Sequence, residues 1–261
     1  MFAIESENIV GYQKIEVGTG YSSFTPTFKD VQGGELYLSS IVPTRTLSDS
    51  YATTGKNNTC KGKILVQLLS GGGDYSEVYY FYSTDPNNGT NYNKWYKLVG
   101  QTLTEIGETE VTIPAGIGFA VNNITGNVSY FQVSGSVDLV CQNVAATGYS
   151  MMGNSTPVDM YLTEITPMRS ATEGYATAGK NNTCKGKILV QLLTANGDYS
   201  EVYYFYSTDP NNGTNYNKWY KLVGQTLTEV EATEVLLPAG TGFAVNNITG
   251  APSYLQLKKP L

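Results

Sequence analysis

The 261-residue chain contains no histidine. Ser–His and Cys–His nucleophile pairs and histidine-ligated metals are therefore closed to it. Carboxylate chemistry remains, with Asp74, Glu77, Asp85, Glu105, Glu108 and Glu110 as acids in the first half of the chain. Glycosidase-type catalysis needs two carboxyl groups facing each other at a set separation, and no spacing here assigns such a partner. Glu77 alternates with tyrosines, a setting that can perturb its pKa. Three cysteines, Cys60, Cys141 and Cys184, fit no zinc pattern, because no pair lies two to four residues apart. GxSxG, P-loop and dinucleotide signatures are absent from the sequence. Gly71-Gly72-Gly73 joins two strand-like runs and opens no helix, so it reads as a hairpin turn and not a phosphate cradle. The segment Asp85-Pro86-Asn87-Asn88-Gly89-Thr90-Asn91 alternates oxygen-bearing residues as a calcium loop does. It has one carboxylate and no downstream bidentate glutamate, and it reads as a turn. The N-x-[ST] matches at Asn57, Asn88, Asn123, Asn127 and Asn154 are what an Asn/Thr-rich chain produces by chance. The expectation is a protein that is not an enzyme and holds no metal or cofactor.

Aromatic residues are the remaining candidates for recognition. In Val78-Tyr79-Tyr80-Phe81-Tyr82, period-two alternation puts Val78, Tyr80 and Tyr82 on one face and Tyr79 and Phe81 on the other. Tyr92, Trp95 and Tyr96 follow across an Asn-rich turn. Exposed tyrosine and tryptophan can stack on sugar rings while Asn and Asp bond the hydroxyls, and the same residues suit protein interfaces. Ordinary β-core packing is the competing reading. The candidate ligand-binding set is Tyr79, Tyr82, Tyr92, Trp95 and Tyr96, with second copies at Tyr203, Tyr206, Tyr216, Trp219 and Tyr220.

These residues recur because the chain repeats itself. Shifted by 124 positions, Gly55–Glu105 matches Gly179–Glu229 everywhere except Ser70-Gly71-Gly72, which becomes Thr194-Ala195-Asn196. Beyond that block the match decays but persists. Pro43 meets Pro167, Tyr51 meets Tyr175, Pro114-Ala115-Gly116 meets Pro238-Ala239-Gly240, and Ser129-Tyr130 meets Ser253-Tyr254. Upstream, Gly20-Tyr21 meets Gly148-Tyr149 after a four-residue gap. A unit of this length is a duplicated module, not a solenoid repeat. Two domains are expected, residues 1–137 and 138–261. Cys60 and Cys184 are the same residue of two copies, able to pair across a pseudo-twofold axis or to remain buried thiols.

Short runs rich in branched and aromatic residues mark strands within a module. Lys63–Leu69, Glu77–Ser83, Trp95–Val99, Glu110–Ile113, Gly118–Asn122 and Tyr130–Val133 are separated by Gly, Pro and Asn turns. No helical stripe appears. The fold class is all-β, two tandem homologous sandwich- or barrel-like modules of seven or eight strands each. The first module opens on a strand, Ile9–Val17. Its counterpart, Val137–Val144, runs on directly from the first module's last strand. The N-terminal strand is then complementary to the chain's last strand, Tyr254–Leu257, and either closes the molecule or joins the next copy. Ile9, Val10, Tyr12, Ile15 and Val17 are the candidate assembly residues.

Only 15% of residues are charged, 21 are tyrosine, and the net charge is −6. An acidic, sparsely charged chain does not suit nucleic acid. No apolar run is long enough to span a membrane. Met1-Phe2-Ala3 leads straight into polar sequence and is consistent with the end of an A-x-A-type export signal.

The opening Glu7-Asn8-Ile9-Val10-Gly11-Tyr12-Gln13-Lys14-Ile15 resembles the "NxVGYxxI" start of a group of exported bacterial proteins built from two related β-modules. The likeness continues through Gly20-Tyr21, Tyr79–Tyr82, Lys94-Trp95 and Pro114-Ala115-Gly116-Ile117-Gly118-Phe119. Second copies stand at Gly148-Tyr149, Tyr203–Tyr206, Lys218-Trp219 and Pro238–Phe243. The resemblance implies export and a repeated β architecture, and it carries no catalytic residue or ligand. Together these observations predict an extracellular or cell-surface structural protein that self-assembles through its terminal strands into a filament or surface layer. The alternative is a bivalent glycan-binding or adhesion protein using the Tyr/Trp/Asn surfaces.

Overall fold

The computed structural model describes residues 10–29, 35–51, 60–69, 72–84, 91–114, 116–137, 142–175, 183–199, 201–208 and 215–258. It is all-β. The first module carries β1 (Val10–Val17), β2 (Gly20–Phe24), β3 (Phe28–Lys29), β4 (Leu36–Tyr37), β5 (Val42–Thr44) and β6 (Lys61–Leu69). It continues with β7 (Tyr75–Thr84), β8 (Asn91–Val99), β9 (Thr102–Glu105), β10 (Thr112–Ile113), β11 (Phe119–Asn123) and β12 (Ser129–Val137). The second module carries β13 (Gln142–Ala145), β14 (Gly148–Gly153), β15 (Met160–Tyr161), β16 (Ile165–Met168), β17 (Lys185–Leu192) and β18 (Glu201–Thr208). Its remaining strands are β19 (Asn215–Val223), β20 (Thr226–Glu229), β21 (Leu236–Leu237), β22 (Gly242–Asn247) and β23 (Ser253–Leu257). The segments β3, β4, β5 and β10 are only two or three residues long, which is why the sequence predicts fewer strands.

Each module is built on a six-stranded antiparallel sheet, ordered β2-β11-β6-β7-β8-β9 in the first and β14-β22-β17-β18-β19-β20 in the second. A smaller sheet, β1-β12-β3 with β5 also on β12, lies opposite in the first module, and β13-β23-β16 is its equivalent. The barrel alternative is not realised, since every one of these sheets has open edges. Alternation along each strand sends one set of side chains into the space between the sheets. Ile64, Val66, Phe81, Trp95, Phe119 and Phe131 meet there, and Ile188, Val190, Phe205, Trp219, Phe243 and Leu255 repeat the pattern. Removing such apolar area from water is the main stabilising term in each module.

The turns that close these sheets are locked by asparagine. Asn123 is buried, and its Nδ2 donates to the Val17 carbonyl at 3.1 Å and the Asn127 carbonyl at 2.9 Å. Its Oδ1 accepts from the Thr125 amide at 3.1 Å and the Thr125 hydroxyl at 2.6 Å. Asn247 with Thr249, and Asn154 with Thr156, repeat the arrangement. Two of the five N-x-[ST] matches, Asn123 and Asn154, therefore close turns, and Asn247 is the repeat counterpart of Asn123.

The N-terminal strand is not free to serve the last strand of the chain. β1 pairs with β12 of its own module in continuous register, from Val10 opposite Ser136 to Val17 opposite Ser129. β23 is flanked on both sides, by β13 and β16. Neither ring closure nor terminal strand exchange is available to Val10, Tyr12, Ile15 and Val17 in this arrangement, while Ile9 lies outside the described residues. The physical reason is local: β1 is joined to β2 by Gly18-Thr19, and Asn123 of β11, the neighbour of β2, donates to the Val17 carbonyl and holds the end of β1 in its own module.

The modules join instead through one edge of each large sheet. Phe24 bridges to Thr241, and the repeat-related pair Met152 bridges to Ile117. Main-chain bonds run from the Thr25 amide to the Gly240 carbonyl at 2.7 Å, and from the Gly118 amide to the Met151 carbonyl at 3.0 Å. Tyr75 and Tyr199, equivalent residues of the two modules, share a hydrogen bond through their hydroxyls, which marks a pseudo-twofold axis. Gly118 and Gly242 permit the approach. A β-carbon on Gly242 would stand 2.8 Å from the Phe24 nitrogen, and one on Gly118 would stand 2.8 Å from the Met152 carbonyl oxygen.

This geometry predicts that Gly242→Ala lowers stability by about 1–3 kcal/mol, the usual cost of overpacking. Gly18→Ala, where nothing lies within 4 Å, is expected to stay within about 0.5 kcal/mol of the parent. Urea unfolding of the two variants checks both expectations; equal midpoints would refute the close-approach account.

Candidate functional site

Cross-strand register sorts the aromatic residues into two faces. Phe81 opposes Trp95 and Tyr79 opposes Lys97, whereas Tyr80 opposes Tyr96 and Leu65, and Tyr82 opposes Lys94. The first set points between the sheets. Trp95 and Trp219 are each 2% exposed, and each indole N–H donates to a backbone carbonyl, of Ile41 and Ile165 respectively, at 2.9 Å. The Phe81 and Trp95 rings lie 5.3 Å apart, as do Phe205 and Trp219. Hollows of about 340 and 260 Å³ lie beside the two tryptophans, lined in common by Asn93, Lys94 and their counterparts Asn217 and Lys218. The indole faces do not open into them for stacking. Trp95, Trp219, Tyr79 and Tyr203 are buried, as are Tyr96 and Tyr220 on the other face, and the sugar-stacking role predicted for these six is corrected on that ground.

The second set lies on the opposite face of the same strands. Tyr82 packs edge-on against Tyr96 with centroids 5.1 Å apart, and Tyr206 against Tyr220 at the same distance. Tyr80, Tyr82, Tyr204 and Tyr206 are half-buried, while Tyr96 and Tyr220 are buried beneath their neighbours. Tyr92 and Tyr216 fall near the starts of β8 and β19. Of the predicted set, Tyr82 and Tyr96 and their counterparts share a face, and Tyr80 and Tyr204 join them through the alternation. Toward the sheet edge this face turns apolar. Leu98 opposes Leu103, and Leu222 opposes Leu227. Leu98 and Leu222 are 51% and 52% exposed on this face, and Val99 and Val223, directed to the opposite face by alternation, are 55% and 56% exposed. The sequence reading missed these four residues, although their place beside a Gly-Gln turn marks a hairpin tip.

The carboxylates are engaged locally. The Tyr79 hydroxyl donates to Glu77 at 2.9 Å, and Tyr203 donates to Glu201 at 3.1 Å. Lys97 pairs with Glu110 and Lys221 with Glu234. The lysine contact is the main cause that holds Glu110 and Glu234 below the usual carboxylate range. Glu201, Tyr203, Lys221 and Glu234 line a cleft of about 560 Å³ with Leu192, Leu222 and Leu236. Glu234, kept ionised by Lys221, is poorly suited to act as a general acid in this cleft. Among the described residues, no group of three or more His, Cys, Asp or Glu side chains is placed to hold a metal. The calcium-like segment and Cys141 lie outside the described residues. No helix among the described residues is long and apolar enough to cross a membrane.

Cys60 and Cys184 are free buried thiols, each with its sulfur against a backbone carbonyl, of Phe81 and Phe205. Comparison with protein-family profiles, characterised proteins and solved structures returns no match. The surface itself must carry the functional argument.

Burial raises both thiols from 9.0 to about 11. The folded state holds these protons more tightly than the unfolded chain, so their contribution is complete below pH 9 and is lost as pH rises toward 11. Urea midpoints measured across that window are expected to fall, and native Cys60 and Cys184 are expected to resist a thiol reagent at pH 8 until the protein unfolds. Rapid labelling of the folded protein at either position would contradict the burial.

Proposed function

We propose that this chain is an exported, non-enzymatic structural subunit that self-associates through its two equivalent ends. One observation carries the reading: the block repeated almost without change forms the outer strands β6–β9 and β17–β20 of a pseudo-twofold pair, and each copy exposes the same apolar hairpin tip. The inner edges of the large sheets, β2 and β14, are taken up by the module junction. A subunit with two like ends joins a neighbour at each, and association at one end leaves the other available. Large exposed hydrophobic residues grouped at a sheet edge are characteristic of association surfaces. The low charge content supports the same reading, since little repulsion or desolvation opposes contact between copies. The buried tryptophans weigh against the glycan alternative.

Light scattering coupled to native size separation, over a wide range of concentration, tests the proposal. The expected result is a mass that grows with concentration in multiples of the subunit. A monomer at every concentration would overturn it.

A further inference from the structure

Resting on that reading, we infer that the contact between copies is an antiparallel pairing of the β9 and β20 edges, in the register that places Leu103 opposite Leu227 of a second copy. Each six-stranded sheet has two edges, and only β9 and β20 remain outside the module junction. The two strands have the same sequence, Thr-Leu-Thr-Glu, so each edge is complementary to itself and to the other.

Backbone direction follows from the ladder. The hairpin turn at Gly100, with φ 63°, pairs Val99 with Thr102, and the Ile106 amide donates to the Trp95 carbonyl at 3.0 Å. Hydrogen-bonding direction alternates along an antiparallel strand. Thr102, Thr104 and Ile106 therefore bond inward to β8, which leaves the N–H and C=O groups of Leu103 and Glu105 directed outward. The same holds for Leu227 and Glu229, where the Val230 amide donates to the Trp219 carbonyl at 2.8 Å. The edges carry no bulge, proline or lysine, and the one charged residue of each, Glu105 or Glu229, is paired with a lysine of the adjoining strand.

Side chains select the register. Leu98 already opposes Leu103, and Leu222 opposes Leu227. Setting Leu103 against a neighbour's Leu227 continues the row as Leu98–Leu103–Leu227–Leu222 across two copies, and covers leucines that are half exposed in one copy. The same register sets Thr102 against Thr228, Thr104 against Thr226, and Glu105 against Gln225, so no glutamate faces a glutamate. The other exposed edge strands lack this equivalence: β1 reads VGYQKIEV, whereas its counterpart β13 reads QNVA.

Lysine at the paired position inserts a charge without removing a backbone donor. Leu103→Lys with Leu227→Lys is expected to give a monomer, and Leu103→Lys alone, which puts a lysine into every β9–β20 contact, is expected to abolish the chain of subunits as well. Both should keep the parent's circular dichroism. As a second measurement, Leu103→Cys with Leu227→Cys places thiols about 5.5 Å apart between Cα atoms of a hydrogen-bonded pair, within disulfide reach. Oxidation should then yield a covalent ladder of subunits, unlike Ile124→Cys, which is exposed elsewhere. If the lysine double variant assembles like the parent, or the cysteine pair cross-links no better than Ile124→Cys, this contact is refuted while self-association stands. If the parent itself is monomeric, both are refuted.

Discussion

A β-sheet edge presents unpaired N–H and C=O groups that must be bonded to something, and the rest of this molecule is arranged around how that demand is met. Each large sheet has two such edges. One is satisfied inside the chain, where β2 and β14 reach the opposite module through Thr25, Gly240, Gly118 and Met151. That contact requires bare backbone on both sides, which is why glycine stands at 118 and at 242. Because the inner edges meet around a pseudo-twofold axis, the outer edges point away from it as equivalent ends. The arrangement is that of a homodimer whose two halves have become one chain.

The two bridges of the junction differ in sequence. In a symmetric dimer they would be identical, whereas here each residue meets a single partner of its own. Phe24 now faces Thr241 while Met152 faces Ile117, so a large residue opposes a small one at the first bridge and two mid-sized residues meet at the second. The strands of the repeated block, β6–β9 and β17–β20, keep one sequence in both modules. Their internal contacts agree in the two modules: the Trp-to-carbonyl bonds are equal in length, and the tyrosine pairs are equally spaced. A common core thus supports two differently adapted inner edges.

Much of the sheet order was legible because the strands are short, branched and punctuated by Gly, Pro and Asn. Ile64 and Val66 turn inward and Leu65 and Gln67 outward as alternation requires. What sequence could not supply was the assignment of faces. Trp95 looks like a surface aromatic beside an Asn-rich turn, yet its partner Phe81 and the Ile41 carbonyl draw it into the core. β1 looks like a spare strand because its repeat counterpart follows directly on β12, but pairing depends on spatial proximity and not on repeat order. Asn123 and Asn154 were visible as a motif; their burial, which gives the motif its meaning, depends on neighbouring strands far along the chain.

Charge placement bears on how the outer edges behave. A net charge of −6 opposes close approach of like copies, and the opposition is strongest where acids stand alone. At these edges they do not. Glu105 lies 3.1 Å from Lys94 across the β8–β9 ladder, and Glu229 is paired with Lys218 in the same position of the second module. Exposed ion pairs of this kind add little to stability, about 0–1 kcal/mol each. Their consequence is local neutrality: each lysine cancels most of the field of the edge glutamate beside it. The apolar row from Leu98 to Leu103 lies beside that neutralised pair, so the two features that favour contact occupy one strip of each sheet.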